Sequence, residues 1–350
     1  MSRPARPDFI IIGAPKAGTT ALHSALAQHP QVFTSTPKEP KYWLCGDAPP
    51  PHWTGPGDAH SQQEWVWRRR DYDALFRPAT DEQLRGESTP FYLWSYPAHR
   101  RIAEHLPDVK LVAVVRDPID RAYSNWMHLW SDGLERDPDF ERAFAQQQQR
   151  IDAGWAPFWR YQDLGLYGRQ LEHLYRYVDR DRVLVVRYRD IVEEPARTVD
   201  QVCRFLGIAE SHVASIPRDN SRAYAEPGWR TAVFGPVVRA GAWLGQFAPP
   251  EVWRAASVPL IARLSSGLAH RPKLSPEVRA RLLPRFAEDI ALLGELTGED
   301  FSLWLSEESR GSFQERVDGG YDDGSTTRGP DTGPPSTRWQ APVAASQRTS

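Results

Sequence analysis

Residues 9–20 read Phe9-Ile-Ile-Ile-Gly13-Ala-Pro-Lys16-Ala-Gly18-Thr19-Thr20 and set the architecture of the chain, because they join a buried strand, a short glycine loop and a helix start. The apolar run predicts a strand over Phe9–Gly13, and the pattern from Thr19 to Gln28 predicts a helix. Backbone N–H groups and the helix dipole at such a junction bind anions. We therefore expect an anion site; the simpler interpretation is a tight turn with a surface lysine.

The position of Lys16 separates this loop from the common phosphate loop of kinases and NTPases. In the pattern G-x-x-x-x-G-K-[ST] the lysine directly precedes the hydroxyl residue, whereas Lys16 stands two residues before Gly18. From there an ammonium reaches the bridging oxygen between a phosphate and a transferring group. Thr19 and Thr20 would meet the phosphate at the helix start.

A second set of polar residues follows another predicted strand. The strand predicted over Lys110–Arg116 leads into Asp117-Pro118, an N-cap pair that predicts a helix to about Trp130. Arg116 ends the strand and Ser124 lies about two turns into the helix, so these two side chains are placed to hold a second phosphate. The alternatives are a salt bridge from Arg116 to a nearby aspartate and a small packed residue at Ser124.

Strands alternate with helices along the chain. A third strand is predicted over Arg182–Tyr188, with a helix around residues 165–178 before it and another from about 195 to 206 after it. This order predicts an α/β fold, a parallel central sheet flanked by helices in a P-loop-NTPase-like three-layer sandwich. Ligands of such sheets bind at the carboxyl ends of the strands.

The chain is expected to contain one domain with irregular ends. Its 350 residues suit a single large core. Residues 45–70 have no clear period and predict a long loop, and residues 274–305 predict a helix followed by a short apolar segment. We predict a flexible leader over residues 1–7, the domain over 8–305 and a disordered tail over 306–350.

The charges nearly cancel, to a net −2, so no field of one sign indicates nucleic acid or an anionic membrane as a partner. Lysine is rare, with five residues among 43 lysines and arginines, and three of the five fall within 26 residues of one another: Lys16, Lys38 and Lys41. Such clustering suits a phosphate or sulfate site, or it arises by chance.

The sequence contains no signal for secretion, a membrane span or a metal. Cys45 and Cys203 are far apart and lack the spacing of zinc or redox motifs, so we expect two free thiols in a reducing compartment. No uninterrupted apolar run of about 18 residues occurs, so no transmembrane segment is expected. These features together predict a cytoplasmic protein.

Together with Pro37-Lys-Glu39-Pro-Lys41-Tyr-Trp43, the two anion-binding segments resemble the sulfotransferase family that uses 3′-phosphoadenosine 5′-phosphosulfate (PAPS). The loop reads much like G-x-x-K-x-G-T-T-x-L of its carbohydrate and bacterial branch, and the run Arg116 to Ser124 matches its 3′-phosphate motif. The resemblance extends over roughly residues 8–305, through Gly86-Glu-Ser-Thr-Pro90 and Leu166-Tyr-Gly168.

This resemblance implies PAPS as donor, adenosine 3′,5′-bisphosphate (PAP) as product, and no metal. It implies that Arg116 and Ser124 hold the 3′-phosphate and that Tyr188 lines the nucleotide site. The 5′-phosphosulfate would be held by the residues of the loop, Lys16, Ala17, Gly18, Thr19 and Thr20.

The same resemblance makes Glu39 the general base, which takes the proton of the acceptor while its oxygen or nitrogen attacks sulfur in line. Lys16 and the helix start would then stabilise charge on the leaving phosphate oxygen. The alternative for Glu39 is a surface carboxylate paired with Lys38 or Lys41, in which case Glu87 would be the substitute base.

No motif names the acceptor, a small molecule or glycan with a hydroxyl or amine group: a carbohydrate, a lipid-like compound or a secondary metabolite. Heparan-modifying members often carry a lysine where this chain has Ser88, which speaks against a polysaccharide. Segments 45–80 and 218–270 are predicted on the acceptor side, including two amphipathic helices within 229–268 that face either the core or a greasy surface. Several tryptophans suit either stacking on an acceptor or the core: Trp43, Trp53, Trp65, Trp67, Trp155 and Trp159.

Two other interpretations remain. The first is a P-loop kinase or NTPase that uses ATP and Mg²⁺, with Val112–Asp117 as its metal-binding strand. The second is a nucleotide-binding protein that has kept the fold and lost the chemistry. The oligomeric state is not readable from the sequence.

Overall fold

The structure is a computed structural model that describes residues 5–56, 65–213 and 273–305. Within these residues a five-stranded sheet has the order β2-β3-β1-β4-β5, and all neighbouring strands are parallel. The strands are β1 Phe9–Gly13, β2 Val32–Thr34, β3 Leu84–Ser88, β4 Lys110–Val115 and β5 Val183–Arg187. The predicted parallel α/β fold is confirmed.

The apolar strands β1 and β4 lie side by side in the middle of the sheet. Every residue of β1 is buried, and so are Leu111–Val115 of β4, as expected for strands covered on both faces. Phe9 lies opposite Gly86 of β3. A Cβ added to Gly86 would lie 2.1 Å from the Phe9 ring, so this neighbour of β1 has to be glycine.

Helices flank this sheet. α1 packs on β1, β3 and α10, whereas α4 and α12 both pack on α8. In the described residues the α-helices are α1 Thr19–Leu26, α2 Tyr42–Cys45, α3 Arg69–Ala74, α4 Tyr96–His105, α5 Pro118–Ser131, α6 Phe140–Ala145, α7 Gln147–Asp152, α8 Tyr167–Leu174, α9 Tyr188–Glu193, α10 Pro195–Leu206, α11 Pro276–Leu282 and α12 Ala287–Thr297.

The helix starts follow from local chemistry. The Asp117 side chain accepts hydrogen bonds from the backbone N–H groups of Ile119 and Asp120, both at 3.0 Å, and so caps α5 as predicted. α10 begins at Pro195 and ends before Gly207, whose φ of 82° closes the helix. The predicted bounds of α10 are confirmed.

Other predicted elements differ in extent. α1 ends two residues early, at Leu26, and the helix predicted around 165–178 is limited to Tyr167–Leu174. The final helix is in fact two helices, since Pro284 lies in a 3₁₀ turn between α11 and α12 and cannot donate a helical hydrogen bond. The loop predicted over residues 45–70 is shorter at both ends, because Cys45 belongs to α2 and Arg69 begins α3. Its described residues 46–56 and 65–68 contain no helix or strand.

Several predictions concern residues outside the described ranges. They are the acceptor-side segment 218–270 with its helices within 229–268, the tail 306–350, and most of the leader. No helix among the described residues is long and apolar enough to cross a membrane.

Candidate active site

The predicted site residues follow the carboxyl ends of the strands. In spatial order, these ends lead to Glu39 after β2, Ser88 in β3, the glycine loop Gly13–Thr20 after β1, Arg116 after β4, and Tyr188 after β5. After β1 the chain runs toward the β2 edge of the sheet, and after β3 it crosses to the other side of β1, where β4 and β5 lie. This reversal at β1 is where ligands of open parallel sheets bind.

The glycine loop presents the N-terminus of α1. Its backbone is fixed by a hydrogen bond from Ala14 N to Val114 O at 2.6 Å, and Lys16 and Gly18 have φ angles of 66° and 89°. Among the described residues, no side chain caps α1. Uncapped N–H groups in the first turn of a helix are the groups that bind anions at helix starts.

Arg116 and Tyr188 close the other side of the loop. The Arg116 Nη1 donates to the carbonyl oxygen of Lys16 at 3.4 Å, and its guanidinium lies 4.7 Å from the centre of the Tyr188 ring. The same ring is so close to Gly18 that a Cβ there would lie 2.7 Å from Tyr188 Cδ2. Thus four residues predicted for one nucleotide site, drawn from three strand ends, lie together.

The helix after Arg116 holds a second guanidinium. Arg121 is fully buried; it donates to the carbonyl oxygen of Tyr161 and to Asn125 Oδ1, and its Nε has no partner among the described residues. Burial lowers the pKa of Arg121 to about 10, so the group stays charged at neutral pH. Ser124, one turn further along α5, is 7% exposed, and its role in phosphate binding stays a prediction.

The Lys-Glu-Pro segment, residues 37–43, lies beside the glycine loop. Ser88 N donates to the carbonyl oxygen of Lys38 at 3.1 Å, and Lys41 N donates to Thr89 Oγ1, so β3 holds the segment in place. The side chain of Glu39 is 34% exposed and lies 3.3 Å from Lys38 Nζ. The ion pair expected under the alternative interpretation is therefore present, but Lys38 also reaches the glycine loop.

Glu87 does not have the exposure that a base needs. It is fully buried; Tyr72 and Tyr92 donate to its Oε1 at 2.8 and 3.0 Å, and Thr89 donates to its Oε2 at 2.7 Å. Burial raises its pKa to about 7, the nearby Glu39 adds to the rise, and the three hydroxyl donors oppose it. This geometry favours Glu39 over Glu87 as the group that meets an acceptor.

The hydroxyl group of Ser88 contacts a histidine side chain. The ring nitrogen Nδ1 of His23, on α1, lies 2.8 Å from Ser88 Oγ. Burial and the nearby Lys38 lower the pKa of His23 to about 4, so the imidazole is neutral at physiological pH. This position of the sheet, where the heparan-modifying members often carry a lysine, therefore presents no charge.

Asp117 is unsuited to the metal-binding role that a kinase would require. Its Oδ1 accepts from two backbone N–H groups and from Arg279 Nη1, and its Oδ2 accepts from Arg279 Nη2. The carboxylate thus caps α5 and anchors α11. No local pattern could predict this pairing, because 162 residues separate the two partners.

Two of the six tryptophans considered for acceptor stacking are core residues. Trp43 and Trp159 are 1% and 4% exposed, and Trp43 Nε1 donates to Tyr72. The other four are half-buried. Lys38 contacts both Glu39 and Thr20, but no sequence motif assigned it a role. Its place beside Glu39 and the scarcity of lysine were the available signals.

Comparison with known proteins identifies the family. Residues 7–212, more than half of the chain, match the model of the sulfotransferase family. The protein belongs to the sulfotransferase family, which confirms the predicted family. A solved sulfotransferase from Alicyclobacillus acidocaldarius is 27% identical, with a TM-score of 0.66, over 86% of this chain and 99% of that one.

Curated relatives include two kinds of heparan sulfate enzyme. Heparan sulfate glucosamine 3-O-sulfotransferase 6 of Homo sapiens is 32% identical over 205 residues, which cover 58% of this chain and 52% of the relative. Bifunctional heparan sulfate N-deacetylase/N-sulfotransferase 4 of Mus musculus is 28% identical over 212 residues, or 22% of its length. The chain thus spans about half or less of these relatives.

Proposed function

We propose that the protein transfers a sulfuryl group from PAPS to a hydroxyl or amine group of an acceptor. The observation that carries this proposal is the convergence at the switch point of the sheet: Arg116, which follows β4, reaches the backbone of the glycine loop, and the Tyr188 ring packs against both Arg116 and Gly18. Lys16 in the loop and Arg116 beside it supply two cationic groups, which suits a nucleotide with phosphates at both its 5′ and 3′ positions.

In this proposal, the residues of the loop have distinct tasks. The N–H groups at the start of α1, with Thr19 and Thr20, would hold the 5′-phosphate, and Lys16 would neutralise charge on the bridging oxygen. Arg116 and Ser124 would bind the 3′-phosphate. Tyr188 would hold the Arg116 guanidinium in place through the ring contact at 4.7 Å.

Glu39 is proposed as the general base. Its carboxylate is partly exposed beside the glycine loop, whereas Glu87 is buried behind it. Glu39 takes the proton from the acceptor hydroxyl as the acceptor oxygen bonds to sulfur. The bond between sulfur and the bridging oxygen breaks, and PAP leaves with the electron pair.

A carbohydrate hydroxyl or amine is the first acceptor to assay. The relatives named above are heparan sulfate enzymes of both the 3-O and the N type, which favours a sugar and leaves both atoms open. The neutral pair of Ser88 and His23 removes one positive charge that would attract a polyanionic chain. We therefore expect a short or weakly charged sugar to be preferred over a highly sulfated polymer.

Transfer of label from radiolabelled PAPS tests the proposal, with a glucosamine-containing oligosaccharide, a long sulfated polysaccharide and p-nitrophenol as acceptors. Glu39→Gln should lower kcat roughly 100- to 10,000-fold and leave PAP affinity within about threefold, because the base acts only in the chemical step. Glu288→Gln, a change of the same kind at an exposed residue, is the matched control. Equal activity of Glu39→Gln and the control would refute Glu39 as the base.

A further inference from the structure

Lys38 occupies the space between the glycine loop and the proposed base. Its Nζ donates to Thr20 Oγ1 at 2.7 Å, lies 3.5 Å from Thr19 Oγ1, and lies 3.3 Å from Glu39 Oε1. One ammonium thus contacts the first two residues of α1 and the carboxylate that would receive the proton of the acceptor.

The position of this ammonium is built by the fold. The carbonyl oxygen of Lys38 accepts from Ser88 N, which ties its backbone to the end of β3, and its side chain is only 20% exposed. An ordinary surface lysine extends into water to keep its hydration. Lys38 instead points at the start of α1, where the helix dipole is positive and repels a cation.

A cation at a helix start is stabilised when an anion binds there. Of its three neighbours, only Glu39 carries negative charge, and both threonine hydroxyls are neutral. The positive charge of Lys38 acts on a neighbouring side chain, because it contributes to the lowered pKa of His23. An anionic oxygen at this helix start would be a stronger partner for the ammonium than either threonine hydroxyl.

We propose that Lys38 is a second catalytic lysine that contacts the transferring sulfuryl group. This inference rests on the proposed function. Lys16, in the loop itself, serves the bridging oxygen, whereas Lys38 approaches from the side of Glu39, where the acceptor must enter. From that side it meets the oxygens on sulfur and offsets their charge as the acceptor oxygen approaches.

The hydrogen bond from Lys38 also affects the carboxylate of Glu39. While Lys38 donates to Glu39, one lone pair of the carboxylate is engaged. A sulfuryl group that draws the ammonium away leaves this oxygen free to accept the proton of the acceptor. Donor binding would therefore prepare the base.

Calorimetry with PAPS and PAP separates this contact from the rest of the donor site, because the two nucleotides differ by the sulfuryl group. Lys38→Met should weaken PAPS binding about tenfold or more, the size of one lost charge-assisted hydrogen bond, and PAP binding less than about threefold. Lys38→Arg should recover part of the PAPS affinity. Lys273→Met, which removes an exposed lysine, should change neither affinity.

Thermal unfolding of each variant verifies that it is folded, and Arg116→Ala serves as a reference. Unchanged PAPS affinity in Lys38→Met, or equal weakening for PAPS and PAP, would overturn the sulfuryl contact, provided that Arg116→Ala abolishes PAP binding. If Arg116→Ala also leaves PAP binding intact, the donor site itself is wrong, which is a different failure.

Discussion

Replacement of Gly18 by alanine tests the geometry of the glycine loop. Gly18 has a φ of 89°, a conformation that costs an L-residue roughly 1–2 kcal/mol. Its new Cβ would lie 2.7 Å from Tyr188 Cδ2 and 3.0 Å from Cε2, so the ring has to move by about 0.7 Å to reach an ordinary contact of 3.4 Å. The ring supports Arg116, so the displacement reaches the proposed 3′-phosphate site.

We expect Gly18→Ala to weaken PAP binding about 10- to 100-fold in calorimetry, since displacements near 1 Å have effects of this size. Gly298→Ala is the matched control, because Gly298 has a φ of 71° and no atom within 4 Å of its added Cβ. Both variants should lose about 1–2 kcal/mol of stability to urea. Wild-type PAP affinity in Gly18→Ala, at a stability equal to that of Gly298→Ala, would mean that the contact between Gly18 and Tyr188 does not shape the PAP site.

Two further predictions concern buried charge. Because burial raises the pKa of Glu87 from 4.5 to about 7, the folded state favours its protonated form; this stability is present below pH 4.5 and is lost as the pH rises through 7. Relative to Glu87→Gln, the wild type should lose about 2 kcal/mol of unfolding free energy between pH 5 and pH 8. Urea titrations at both pH values measure this; a difference between the two proteins that does not change with pH would disprove the raised pKa. Arg279→Met should cost about 3–5 kcal/mol because it leaves Asp117 buried without its partner. Arg281→Met, on the same helix and in an exposed pair with Glu141, should cost at most about 1 kcal/mol, and similar losses in the two variants would contradict the contrast.

The strands of the central sheet that are apolar on both faces could be predicted from the sequence. β1 and β4 are continuous apolar runs, and Asp117 with Pro118 is a helix start that local chemistry alone specifies. β3 was missed because its sequence Leu-Arg-Gly-Glu-Ser has no apolar run. Arg85, Glu87 and Ser88 are buried although they are polar, and no hydrophobic period reveals such a strand.

The site residues that lie within a single loop could also be predicted. Lys16 and Gly18 belong to one local motif, and their conformation follows from the strand-to-helix junction. The placement of Lys38 against Thr20 was not readable, because it depends on how β2 and β3 align beside β1. Long-range pairs, such as Arg279 with Asp117, lie beyond any local pattern.

The cytoplasmic location, the independence from metal and the role of Ser124 remain predictions. The same is true of the acceptor-side segment 218–270 and the tail 306–350, which lie outside the described ranges. These points do not affect the geometry of the glycine loop and Arg116.

Calorimetry of PAP binding in the presence of EDTA, for the wild type and for Arg116→Ala, tests the proposed donor site. We expect roughly micromolar binding to the wild type without metal, and a loss of about 100-fold or more in Arg116→Ala, because a charged pair with the 3′-phosphate is removed. No binding in EDTA, with ATP binding that appears when Mg²⁺ is added, would contradict it. Equal PAP affinity for the wild type and Arg116→Ala would contradict the assignment of the 3′-phosphate site.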